Sequence, residues 1–94
     1  MIEVLHIAGC PTWEETRGLL ERVTGEPVAT RLISTAEEAE AVGFCGSPTV
    51  RVDGADPWAD QTTRVGLACR LYRLPDGRVG GGPTEAMVRT ALNR

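Results

Sequence analysis

The first 43 residues alternate between short apolar runs and segments of helical periodicity, and this alternation restricts the fold more than any other feature. Ile2-Glu3-Val4-Leu5-His6-Ile7-Ala8-Gly9 is rich in branched apolar residues and too short for a helix, so it reads as a strand buried mostly on both faces. It stops at Gly9-Cys10-Pro11. Pro11 then suits the first turn of a helix, Glu14 and Glu15 favour its positive end, and Thr16, Leu19, Leu20 and Val23 recur at helical spacing. Gly25 and Pro27 end that helix near Thr24. Residues 27–33 give a second strand, and Thr35 with Glu38 forms a capping box for a short helix that closes at Gly43.

The second half carries two further strands and one helix. After Gly46-Ser47-Pro48, Thr49-Val50-Arg51-Val52 alternates and ends at the turn signal Asp53-Gly54. Cys69-Arg70-Leu71-Tyr72-Arg73-Leu74 reads as the fourth strand. Residues 55–67, with Pro57 and Trp58, exceed an ordinary hairpin connection and form either a functional loop or an ordered cover over the sheet. Pro75-Asp76-Gly77 turns the chain, and Gly80-Gly81-Gly82 precedes a terminal helix opened by Pro83-Thr84-Glu85. Met87, Val88, Ala91 and Leu92 form the apolar stripe of that helix.

Composition narrows the function classes. Ninety-four residues suit a single domain spanning 1–94, and an apolar fraction of 41% argues against intrinsic disorder. No apolar run approaches the roughly 20 residues needed to span a bilayer, and no signal peptide fits the start, so no membrane partner and a cytoplasmic location are expected. All ten basic residues are Arg. Residues 1–47 hold eight acids against three Arg, and residues 48–94 hold five acids against seven Arg. That contrast is too mild for a nucleic-acid footprint. Cys10, Cys45 and Cys69 give neither an even disulfide framework nor two CxxC pairs, so a stapled secreted scaffold and a structural zinc site are both disfavoured.

The order β-α-β-α-β-β-α, with Cys10-Pro11 at the first strand-helix junction and Gly46-Ser47-Pro48-Thr49 opening the third strand, resembles the thioredoxin fold over nearly the whole chain. Gly9-Cys10-Pro11-Thr12-Trp13 stands in the place of that family's redox loop, and Gly46-Ser47-Pro48-Thr49-Val50 in the place of its cis-proline loop. Gly80-Gly81 precedes the last helix as in glutaredoxin-like members. The resemblance implies an α/β domain with a four-stranded mixed sheet, helices on both faces, and Ser47 and Pro48 beside Cys10. It departs from the family in having Trp13 at the second cysteine of the CxxC motif, Val4 where many members carry a buried acid, and no Lys near the thiol. A monothiol pattern is what remains. A looser resemblance, to small bacterial thioredoxin-like proteins grouped with alkylmercury lyases, rests on three stretches: Phe44-Cys45-Gly46-Ser47-Pro48-Thr49, Asp53-Gly54-Ala55-Asp56-Pro57-Trp58 and Gly66-Leu67-Ala68-Cys69-Arg70-Leu71-Tyr72.

Cys10 is a candidate nucleophile on physical grounds alone. At the N-cap of a helix, unsatisfied N–H groups and the macrodipole stabilise a thiolate, while Glu14 and Glu15 one turn away oppose it. Cys45, three residues before Pro48, is the candidate second catalytic thiol, or else a small hydrophobe packed beside Phe44 under the second helix. Cys69 is expected to be buried and away from Cys10 unless the loop 55–67 folds back. His6 reads as a satisfied core or sheet-surface histidine. Trp13 is a candidate substrate platform together with Ser47 and Pro48, or else a cover for the sheet. Arg64, Arg70, Arg73 and Arg78 are candidate carboxylate partners or solvated faces. Gly80 to Gly82 is an anion-binding helix entry or a hinge.

The leading expectation is a thiol-disulfide oxidoreductase in which Cys10 attacks a disulfide of a protein or small molecule, with Cys45 or an external thiol resolving the product. No cofactor is expected. The alternatives are a soft-metal or organomercury binder holding its metal between Cys10 and Cys45, and a non-catalytic interaction module.

Overall fold

A computed structural model describes residues 1–60 and 63–93 of the chain. Its elements, in order, are β1 (Ile2–His6), α1 (Trp13–Thr24), β2 (Ala29–Leu32), α2 (Ala36–Val42), β3 (Thr49–Val52), β4 (Tyr72–Arg73), β5 (Val79–Gly80) and α3 (Glu85–Leu92). β1 lies in the middle of a small mixed sheet, parallel to β2 and antiparallel to β3, with Val4 flanked by Thr30 and Val50.

β1 takes the centre because both of its faces are apolar. Ile2 and Val4 belong to a cluster with Val28, Val50, Leu19 and Leu20 of α1 and Val88 of α3. Leu5 belongs to the other cluster, with Ile33, Ala39 of α2 and Phe44. Helices therefore cover both faces of the sheet. Leu5, Leu20 and Phe44 are fully buried, each contributing about 1.5–3 kcal/mol of transfer free energy. The radius of gyration is 12.3 Å, close to the value of about 12 Å for a compact chain of this length.

Local signals set the element ends. α1 stops at Gly25, whose N–H donates to the Glu21 carbonyl. The Thr35 hydroxyl accepts from the Glu38 N–H, and the Glu38 carboxylate accepts from the Ser34 N–H. Thr84 caps α3 by accepting from the Met87 N–H. Asp53-Gly54 forms a two-residue turn that closes Val52 onto Ala55 through paired backbone hydrogen bonds of 2.8 and 3.1 Å.

The fourth strand departs from expectation. Among the described residues the main sheet has three strands, and the segment expected at Cys69–Leu74 is cut to Tyr72–Arg73, which pairs with Val79–Gly80 in a separate two-stranded sheet. Its N-terminal end is held elsewhere: Ser47 N–H donates to the Ala68 carbonyl and Arg70 N–H to the Ser47 carbonyl. The Arg70 side chain is drawn to Asp56, so this stretch is tied to the loop that follows β3 and does not extend along β3 itself.

The loop 55–67 is an ordered cover across its described residues; 61 and 62 lie outside them. Trp58 packs against the α1/α3 core cluster and meets Tyr72 edge to face at 5.8 Å between centroids. The Asp56 carboxylate accepts from the Trp58 N–H and pairs with Arg70, with only 10% and 7% of the two charged side chains exposed. Among the described residues no helix is long and apolar enough to cross a membrane.

Candidate functional site

The chain leaves β1 at His6, turns through Gly9, and reaches Cys10 just before α1. The N-cap is Thr12, two residues later than the expected Cys10, because α1 begins at Trp13. Thr12 makes no side-chain cap. Its hydroxyl instead donates to the Gly81 carbonyl at 2.9 Å and lies 3.6 Å from the Cys10 sulfur. The amide hydrogens at this end of α1 are thereby left for another acceptor, and Cys10 supplies it.

Cys10 is only 8% exposed. Burial is the largest influence on its thiol and pushes the pKa up. Hydrogen bonds from the Ser47 hydroxyl, the Thr12 N–H and the Trp13 N–H act against it, and the net shift is below the ordinary thiol value. Ser47 is held for this task. It is 1% exposed, its Oγ accepts from the Ile7 N–H at 3.2 Å, and its backbone is bonded on both sides to residues 68 and 70. The Ser47-Pro48 peptide bond is cis. The Pro48 carbonyl accepts from the buried Tyr72 hydroxyl, whose pKa burial raises well above the phenol range.

Trp13 lies flat on His6, with 3.8 Å between ring centroids and 7° between planes, so one face of the indole is already taken. The Arg17 guanidinium sits 5.5 Å from the same ring. His6 is not the satisfied histidine expected from its place in the strand: its Nδ1 is buried without a hydrogen-bond partner. Burial is the largest influence on its pKa and lowers it, against the opposing pull of the Ile7 backbone and the Glu14 carboxylate.

Cys45 is half-buried, next to Phe44 of the α2 cluster. Its sulfur donates to the Gly43 carbonyl at 3.3 Å. Cys10 and Cys45 share no hydrogen-bond partner, and all three cysteines are free thiols. Cys69 is exposed, where burial was expected. The backbone on either side of it is bonded to Ser47. Among the described residues, no group of three or more His, Cys, Asp or Glu is placed to hold a metal ion.

The glycine run packs closely on α1. A Cβ on Gly81 would stand 2.7 Å from Thr12 Cγ2, and one on Gly82 2.6 Å from Thr16 Oγ1, so both glycines let this strand end close on α1. Beside that contact a cleft of about 450 Å³ is lined by Glu15, Thr16, Leu19 and Arg22 of α1, together with Thr12, Gly81, Gly82 and Pro83. Of the four candidate arginines, Arg70 is spent on Asp56 and Arg78 pairs with Asp76 at the surface.

No protein-family model, curated protein or solved structure matches this chain. The sequence does not single out Thr12, although threonine is a preferred N-cap residue. It offers Arg70 as a carboxylate partner but not Asp56 as the carboxylate, because the pair is closed by a loop whose path no local pattern specifies.

Proposed function

We propose that the chain is a thioredoxin-like thiol-disulfide oxidoreductase of monothiol pattern, with Cys10 as its nucleophile and a fourth strand reduced to a short hairpin. The observation that carries this reading is the convergence of the Ser47 hydroxyl and the N–H groups of Thr12 and Trp13 at the start of α1 on one buried sulfur. Neutral donors and a helix terminus stabilise a thiolate without a neighbouring cation, consistent with a chain that lacks Lys altogether.

In the proposed reaction the Cys10 thiolate attacks one sulfur of a protein or small-molecule disulfide. The same donors then stabilise Cys10 as the leaving thiolate when a second thiol, external or from the chain, attacks the mixed disulfide. Ser47 and Pro48 form the wall of the site beside Cys10, and Trp13, braced by His6, forms its floor at the start of α1. Free thiols of this kind suit a reducing cytoplasmic setting.

The test is thiolate absorbance as a function of pH, combined with disulfide exchange, in the native chain and Cys10→Ser. A Cys10 pKa below the free-thiol value of about 8.5, with exchange abolished in the variant, is the expected result. A pKa above that value with exchange unchanged in Cys10→Ser would refute the reading.

A further inference from the structure

Cys69 is carried to Ser47, whose hydroxyl serves Cys10, by the loop that folds back across the end of the sheet. The Gly66 N–H donates to the Phe44 carbonyl at 3.1 Å. The Ser47 N–H then donates to the Ala68 carbonyl at 2.8 Å, and the Ser47 carbonyl accepts from the Arg70 N–H at 2.9 Å. This is an isolated parallel bridge that sets Cys69 directly opposite Ser47. Paired residues lie about 4.8 Å apart and direct their side chains to the same side of the bridge. Ser47 sends its hydroxyl to Cys10 and to the Ile7 N–H, so the Cys69 side chain leaves the backbone on the side where the Cys10 sulfur sits.

Two further contacts place the segment independently of that bridge. Leu67, one pleat repeat before Cys69, lines a pocket of about 300 Å³ with Ile7 and Ala8, the residues that lead into Gly9-Cys10. A Cβ on Gly46 would lie 2.9 Å from Arg70 Cβ, so glycine at 46 is what lets residues 68–70 approach so closely. Cys45 has no such placement, since its sulfur is turned to the Gly43 carbonyl.

We propose that Cys69 is the resolving thiol for Cys10, so that a chain without a CxxC motif runs a two-cysteine cycle across the Ser47 bridge. This rests on the reading of Cys10 as the nucleophile. The Cys10 thiolate attacks a disulfide RSSR′, whose S–S bond breaks, and R′S⁻ leaves and takes up the proton that Cys10 had released. The Cys69 thiolate then attacks the Cys10 sulfur, the mixed disulfide breaks, and RS⁻ leaves with the proton from Cys69. The protein keeps a Cys10–Cys69 disulfide, oxidised by the two electrons that reduced RSSR′ to two thiols. An external dithiol returns it to the free form.

The experiment treats the fully reduced chain with one equivalent of oxidised glutathione as the probe, quenches it in acid, alkylates it and maps the cysteines by mass spectrometry. The native chain and Cys45→Ser should each lose two free thiols and show a Cys10–Cys69 cross-link. Cys69→Ser, a conservative change at an exposed position, should instead hold a stable glutathione adduct on Cys10. Equal adduct in the native chain and Cys69→Ser, or a Cys10–Cys45 cross-link, would overturn the role of Cys69 and leave Cys10 as the nucleophile. A Cys10 that takes up no glutathione in any variant would overturn both.

Discussion

Replacing Ser47 with Ala removes one hydroxyl that serves two groups at once: it donates to the Cys10 sulfur and accepts from the Ile7 N–H. A hydrogen bond to a charged group is worth about 1.5–3 kcal/mol, so its loss should lower the thiolate population of Cys10 near neutral pH by about 10- to 100-fold. The rate of attack on a disulfide falls by less, because a more basic thiolate is a better nucleophile. With a Brønsted slope of about 0.4–0.5 the net slowing is about 3- to 15-fold. The second-order rate constant with a small aromatic disulfide at pH 7 measures this, and thiolate absorbance against pH measures the acidity itself. Thr12→Val should change the acidity little, since that hydroxyl gives its proton to the Gly81 carbonyl and stands 3.6 Å from the sulfur. Ser47→Ala should also cost about 1–3 kcal/mol in urea denaturation, because the Ile7 N–H loses its acceptor. A Cys10 rate within twofold of the native chain, with unchanged acidity, would refute the argument that Ser47 stabilises the thiolate.

Three further outcomes test the frame around the site. Asp56→Ala strands the buried Arg70 guanidinium and should cost about 3–5 kcal/mol, a fall in Tm of at least about 10 °C, while a drop of a degree or two would show the pair contributes little. Gly82→Ala puts a methyl group 2.6 Å from Thr16 Oγ1 and should destabilise by about 1–3 kcal/mol; adding Thr16→Ala should recover most of that, and no recovery would place the strain elsewhere. His6 has a depressed pKa in the folded chain, so the unfolded chain binds its proton first. Its contribution to stability is therefore fully present above the unfolded value of about 6.5 and is lost as pH falls through the lower folded value. His6→Phe keeps a ring under Trp13 and should remove that acid-dependent loss; identical pH slopes in both chains would contradict it.

Much of the fold was legible because it depends on neighbours in sequence. The helix ends at Gly25, Thr35 and Thr84 and the turn at Asp53-Gly54 are local devices, each closed within a few residues. The apolar run Ile2–His6 is legible as a strand buried on both faces because such burial requires that composition. The start of α1 was misplaced by two residues because Pro11 offered a plausible first turn, whereas the contact between Thr12 and Gly81 draws Thr12 into the cap position. The fourth strand is shorter than expected for a related reason: the run Cys69–Leu74 does not show that Arg70 has a charged partner fourteen positions earlier.

The sequence by itself determined an α/β chain with one thiol at a strand-helix junction and a second at the approach to Pro48, because apolar period, proline, glycine and capping residues act over a few positions. Tertiary structure alone decided what those thiols touch. Ser47 reaches Cys10 only after β3 is laid antiparallel to β1, and Cys69 comes to face Ser47 only after the loop 55–67 folds back. Such contacts join residues dozens of positions apart, and their closure is set by the packing of the whole chain, which no short window of sequence specifies.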